Sequence, residues 1–192
     1  MPVLGGEPVE RDLESLALRV GAVTVAVRLG RDGAGSGVIW SSGGAIVTNA
    51  HVATRPYAEV VLSDGRRFTA RVVRRDARRD LALLWIGARG LPAATVRDPS
   101  DLRAGELLVA VGHPLGIPNA ISMGIVHTPP GVGDRRLLQA DLRLAPGNSG
   151  GPLADVRGRV VGINSMVAGD LALAVPSDEV MRFVHRASAR AA

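Results

Sequence analysis

Ser149 stands in the heptapeptide GNSGGPL, residues 147–153, with glycines on both sides. Glycine reaches positive φ at no steric cost and has no Cβ to keep a ligand away from the backbone, so such a run can turn tightly and receive a carbonyl oxygen on its N–H groups. A Gly/Ser loop alone does not establish chemistry, because a serine hydroxyl is a poor nucleophile unless a base takes its proton. Upstream, TNAHV puts His51 just past the apolar run Ala45–Val47, and Asp80 opens the apolar run DLALLWI. Histidine titrates near neutrality, so His51 can accept the proton of an attacking hydroxyl and return one to a leaving amine. A carboxylate at the head of an apolar strand needs a partner, and Asp80 finds one if it holds a single imidazole tautomer and stabilises the imidazolium. Together the three residues predict nucleophilic attack by Ser149 on a peptide carbonyl and an acyl-enzyme.

The other histidines and acids fit these roles less well. His113 sits in the turn GHPLG, His127 begins a Pro-rich loop and His185 falls in a C-terminal helical pattern. Asp64 and Asp76 lie in turn or arginine-rich surroundings, where solvated pairing explains them. The chain order His51, Asp80, Ser149 differs from that of α/β-hydrolases, in which Ser comes first, and of subtilisin-like enzymes, in which Asp leads. TNAHV, DLALL and GNSGGPL, together with GHPLG, SMGIV, VVGINS and LAVPS, resemble the protease domain of HtrA-type (Deg) trypsin-like serine proteases. The resemblance runs from about Ala22 to the C-terminal helix.

That resemblance implies a serine endopeptidase of unfolded or extended polypeptides, acting in protein quality control without cofactor or metal. It implies an oxyanion hole from the N–H groups of Gly147 and Ser149, and a primary pocket lined by Leu144, Leu171 and Leu173 that takes a small or medium aliphatic residue before the scissile bond. Arg143 departs from the family, where a small residue is usual; it either attracts an acidic side chain or turns to solvent or onto Asp141, the second being favoured. Asp141 is expected to shape the loop. The segment from Asn164 and Ser165 to Val167 is expected to pair with extended substrate backbone. An alternative is a noncatalytic or latent peptide-binding, chaperone-like module on the same fold, against which the full His51–Asp80–Ser149 set argues. The family also suggests a homotrimer formed through N-terminal segments. No PDZ domain is expected after LAVPS, and the opening residues read as neither an export signal nor a membrane span, so the site of action is expected to be the cytoplasm, or the cell envelope if a targeting segment has been removed.

Short aliphatic runs punctuated by turn residues predict the elements that must position these groups. Strands are expected at 23–29, 37–40, 45–48, 59–62, 68–73 and 81–86, and again at 107–111, 120–126, 137–140, 152–154, 159–164 and 171–175. The turns SSGG and SDGR join neighbours as hairpins. This is an all-β chain, two six-stranded antiparallel barrels of the trypsin-like kind at about 20–87 and 105–176, with a linker at about 88–104. Helices are expected at 8–18 and, N-capped by Ser177, at 177–188. His51 and Asp80 then come from the first barrel and Ser149 from the second, meeting in the cleft between them.

Composition agrees. The chain has 192 residues, 46% of them hydrophobic but only 3% aromatic, so its core is aliphatic. With no Cys, neither a disulfide nor a Cys-ligated metal is possible. All 23 basic residues are Arg, and seven of them (Arg66, Arg67, Arg71, Arg74, Arg75, Arg78 and Arg79) crowd into a fourteen-residue stretch. A patch for an acidic partner or nucleic acid would use such a run, but aromatics are not interleaved beyond Phe68 and carboxylates are close, so a solvated face is favoured and no nucleic-acid partner is expected.

Overall fold

The computed structural model describes residues 7–30, 33–113, 120–131 and 136–188. Strands β1 (Thr24–Arg28), β2 (Ala34–Ile39), β3 (Ala45–Thr48), β4 (Tyr57–Val61), β5 (Arg67–Asp76) and β6 (Leu81–Trp85) form one closed antiparallel barrel in the order β1-β2-β3-β6-β5-β4. Strands β7 (Leu107–Gly112), β8 (Ala120–Thr128), β9 (Leu138–Asp141), β10 (Pro152–Asp155), β11 (Val160–Ala168) and β12 (Leu171–Pro176) form the second, in the order β10-β11-β12-β9-β8-β7. The expected pair of six-stranded barrels is therefore what the chain makes.

The alternation along each strand explains where the cores lie. In β3 and β6, Ile46, Ala82 and Leu84 fill the first barrel, while Val47, Leu81 and Leu83 point the other way. Those outward residues are also buried, because they meet Val160, Ile163 and Val175 of the second barrel. A strand buried on both faces reads as an unbroken apolar run, which accounts for LALLW. The second barrel holds its own interior cluster, with Leu108, Leu138, Leu153 and Val161 at its centre.

Two helices brace this pair. α1 (Glu7–Ala22) runs about one turn past the expected end, because Leu16 and Val20, one helical turn apart, both pack on Val109, Val111 and Ala154 of the second barrel. α1 leads directly into β1, so it straps the second barrel to the first strand of the other. α2 (Ser177–Ser188) presses Val180 and Phe183 into the cluster between the barrels. Ser177 is its first helical residue, and its hydroxyl donates to the Arg97 carbonyl at 2.6 Å.

The segment joining the barrels is laced to both: Ala94 N–H donates to Ile39 C=O at 2.9 Å, and Arg97 N–H to Val160 C=O at 2.9 Å. The nearly buried Arg97 side chain pairs with Asp101 at 2.9 Å, Glu106 at 2.8 Å and Asp155 at 3.5 Å.

Five of the seven clustered arginines are engaged within the chain. Arg66 pairs with Asp64, Arg67 with Glu59, and Arg79 with Asp76 and Glu179. Arg75 Nε donates to Ala50 C=O at 2.9 Å, and the Arg74 guanidinium lies 4.9 Å from the centre of the Phe183 ring while donating to the Phe183 carbonyl at 3.1 Å. These contacts favour the solvated, internally paired reading. Among the described residues, no helix is long and apolar enough to cross a membrane.

Phe183 joins α2, Arg74 and the inter-barrel cluster at once, and only 2% of its surface is exposed. Phe183→Ala is expected to destabilise the fold by about 3–5 kcal/mol, the usual cost of emptying an aromatic site, read as a lower midpoint in urea unfolding.

Candidate active site

The segment after β3 turns sharply: the N–H groups of Val52 and Ala53 both donate to Asn49 C=O, at 3.2 and 3.1 Å, and His51 is carried outward on that turn. Asn49 is fully buried and its Nδ2 donates to Asp80 C=O at 2.9 Å, tying the histidine turn to the acid. Asp80 sits between β5 and β6 at φ +54°, the left-handed region that aspartate tolerates better than most residues. From there its carboxylate reaches back to His51. Nδ1 of His51 is 2.8 Å from Oδ2 and 3.0 Å from Oδ1, and the His51 backbone N–H donates to Oδ1 at 3.0 Å.

Half of the His51 side chain is exposed, against about a fifth of Asp80. The hydrogen bond to Asp80 raises the His51 pKa above 6.5, outweighing the opposing effect of burial. Burial pushes Asp80 up, but hydrogen bonds from the His51 side chain, Ser165 and the His51 backbone outweigh it and hold the carboxylate below its ordinary range.

Ser165 belongs to the second barrel. Its hydroxyl donates to Asp80 Oδ2 at 2.6 Å, and its carbonyl accepts the Ser149 hydroxyl at 3.1 Å. It owes this to a bulge: β11 pairs with β12 through Asn164↔Ala174 and then Met166↔Leu173, so Ser165 is the extra residue, free of the ladder and turned into the cleft.

The nucleophile loop is tightly specified. Asn148 N–H donates to Ala145 C=O at 3.0 Å, with Pro146 and Gly147 between them and Gly147 at φ +103°, the turn that places glycine third. Gly150 N–H donates to Asn164 C=O at 2.8 Å, and Ser36 N–H of β2 to Ser149 C=O at 2.8 Å. Gly150 is itself at φ +85°, and a Cβ there would collide with Ser36 C=O and the Thr48 hydroxyl. Among the described residues, the N–H groups of Gly147 and Ser149 donate to no protein acceptor.

The structure thus brings His51, Asp80, Ser165 and Ser149 together, with the Ser149 hydroxyl on Ser165 rather than on His51. The rival residues stay apart from this constellation. Asp64 and Asp76 are held by Arg66 and Arg79. His113 is buried, and that burial together with the charge of Arg28 lowers its pKa. His127, expected to begin a loop, lies within β8 beside the Thr128 hydroxyl, and His185 lies in α2.

The expected substrate-contact set needs two corrections. Asn164 is fully buried, its backbone paired with Gly150 and Gly151 and its Nδ2 with Pro152 C=O, so all of these groups face inward. Ser165 is also buried and faces Asp80 and Ser149; of that segment Met166 and Val167 are exposed. Leu144 packs against the interior cluster of the second barrel, whereas Leu171 and Leu173 are half-buried and alternate with the inward-facing Ala172 and Ala174. Arg143 and Asp141 are both exposed. Sequence reasoning missed Ser36, Thr48 and Asn49; the signal for the first two was a polar residue within the strands β2 and β3, and Asn49 directly follows β3. Among the described residues, no group of three or more His, Cys, Asp or Glu is placed to hold a metal.

Two closed barrels with a His–Asp pair from one and a glycine-framed serine from the other define a trypsin-like peptidase arrangement. The family model of the trypsin-like peptidase domain matches residues 35–163, and the chain belongs to that family. It is 39% identical over 161 residues to serine protease HTRA1 of Xenopus tropicalis, covering 78% of this chain and 35% of that protein. It is 40% identical over 161 residues to the putative serine protease HhoA of Synechocystis (77% and 41% covered), and 39% identical over 168 residues to mitochondrial serine protease HTRA2 of Drosophila persimilis (81% and 39%). These are HtrA-type proteins, as the seven motifs implied. The chain spans roughly 35–41% of the length of these relatives.

Because Asp80 raises the His51 pKa, the ring is expected to titrate above pH 6.5 in an NMR experiment and to fall towards that value in Asp80→Asn. The linked stability has a definite sign. It is fully present below the unfolded pKa of about 6.5 and is lost as the pH rises through the higher folded value.

Proposed function

We propose that this chain is a serine endopeptidase that cleaves unfolded or extended polypeptides through His51, Asp80 and Ser149. The observation that carries the proposal is Ser165, whose hydroxyl is bound to Asp80 and whose carbonyl is bound to Ser149, so that acid and nucleophile share one anchor across the cleft while the acid in turn holds His51. For attack, the Ser149 hydroxyl leaves Ser165 and turns to Nε2 of His51, which takes its proton as Oγ bonds to the substrate carbonyl carbon. Asp80 keeps the Nδ1–H tautomer in place and stabilises the imidazolium that forms.

The carbonyl oxygen becomes an oxyanion held by the Gly147 and Ser149 N–H groups, neither of which donates to a protein acceptor among the described residues. Each such donor lowers a barrier of this kind by about 3 kcal/mol. His51 then protonates the leaving amine; water, deprotonated by the same imidazole, attacks the acyl carbon, and the imidazolium returns that proton to Ser149 Oγ as the C–O bond breaks and the acyl group leaves as the carboxylic acid.

The exposed Arg143 supports a primary pocket without a basic floor, and so a preference for small or medium aliphatic residues before the scissile bond. The exposed Met166 and Val167 on β11 offer edge backbone and apolar surface to an extended chain, which suits quality control of unfolded proteins more than recognition of one sequence.

The decisive experiment is digestion of reduced casein by the wild type and by Ser149→Ala, with product termini read by mass spectrometry. Cleavage is expected to fall by a factor of about 10⁴ or more in the variant, and the wild-type termini to be aliphatic. Cleavage that survives in Ser149→Ala would overturn the assignment. Activity is expected to rise with pH through an inflection above 6.5, as His51 loses its proton.

A further inference from the structure

Ser36 is a fully buried polar residue of β2, and its hydrogen bonds lead out of its own barrel. Its hydroxyl donates to Gly147 C=O at 2.7 Å and accepts the His113 N–H at 3.0 Å. Its backbone N–H donates to Ser149 C=O at 2.8 Å. Its carbonyl accepts the Thr48 hydroxyl at 2.6 Å and faces the bare Cα of Gly150. A strand in the wall of a barrel needs no hydroxyl for its ladder, and burying one is costly unless it is satisfied. Here both bonds of that hydroxyl go to the second barrel, one of them to the nucleophile loop.

The effect on the loop can be followed peptide by peptide. The Gly147–Asn148 peptide is pinned at its oxygen by Ser36 and at its N–H by Ala145 C=O. The Ser149–Gly150 peptide is pinned at its oxygen by Ser36 and at its N–H by Asn164 C=O. Ser36 therefore supplies one of the two anchors of each. The Asn148–Ser149 peptide, which carries the Ser149 N–H, lies between these fixed planes, and the Pro146–Gly147 peptide, which carries the Gly147 N–H, directly precedes the first. With Gly147 at φ +103° and no Cβ to restrict it, its N–H direction depends on where its own carbonyl is held.

We propose that Ser36 is a positioning residue of the reaction: through Gly147 C=O and Ser149 C=O it aims the two oxyanion-binding N–H groups from the opposite barrel. The inference rests on the serine-peptidase reading of the site. It predicts where the effect falls, because donors aimed at an oxyanion act on the tetrahedral state and contribute little to ground-state binding.

The test is Ser36→Ala, with Ser36→Gly as a second variant that removes the same hydroxyl and also relieves the packing around Cβ; folding of each is checked by near-UV circular dichroism. With a peptide ester substrate, kcat is expected to fall about 10-fold to 100-fold while KM stays within about twofold. Binding of a peptide boronic acid, which forms a tetrahedral adduct on Ser149, is expected to weaken by a similar factor, and the pH inflection of His51 to stay in place. A folded Ser36 variant with wild-type kcat and boronate affinity would overturn the inference. So would a loss that appears in KM alone. If the wild type neither turns over the ester nor binds the boronate, the peptidase reading itself fails, and the two failures are thereby distinguished.

Discussion

The contact that everything else depends on is the seam where β2 and the end of β3 meet the nucleophile loop. Gly150 fits there only because it lacks a side chain: Ser36 C=O and the Thr48 hydroxyl occupy the space a Cβ would take. At that seam Ser36 joins Ser149 and Gly147, and Asp80 joins Ser165, so polar groups from each barrel complete the other. The strength holding the seam shut lies elsewhere, in the apolar layer of Val47, Leu81, Leu83, Val160, Ile163, Val175 and Phe183. Burial of that layer supplies the free energy, and the polar seam sets the register.

This division of labour explains several local irregularities as consequences of one requirement. Asp80 adopts a left-handed backbone so that its carboxylate points along the cleft, and Ser165 leaves its ladder as a bulge so that hydroxyl and carbonyl both face inward. Asn49 and Asn164, buried on opposite sides of the seam, hold the Asp80 and Gly150 backbones. The helices and the joining segment act at longer range: α1 runs from the outer wall of the second barrel into β1, and the joining segment bonds to Ile39 on one side and Val160 on the other. Each of these elements opposes separation of the halves.

Much of this was legible in the chain because aliphatic runs of strand length separated by turn residues admit few other readings. The twelve strands appear where those runs lie, and β3 matches its expected bounds, Ala45 to Thr48. The discrepancies are physical. β2 begins at Ala34 rather than Gly37 because the glycines Gly35 and Gly37 are strand residues, leaving room for Val52 and for Ile46, Val25 and Val27 respectively. β5 runs on to Asp76 because its arginines, polar in sequence, lie on an exposed face and continue to pair across the bulge near Val72. His51, Asp80 and Ser149 carried the chemistry in their residue types and flanks. The roles of Ser165, Asn164 and Ser36 were not legible, since they follow from a one-residue bulge and from a contact between residues more than a hundred positions apart.

The most direct test of the account is covalent: the intact protein treated with a fluorophosphonate, an acylation mimic that reacts only with an activated serine, and mapped by peptide mass spectrometry. A single adduct on Ser149, lost in His51→Ala, is the predicted result. No adduct, or one that forms equally well without His51, would contradict it.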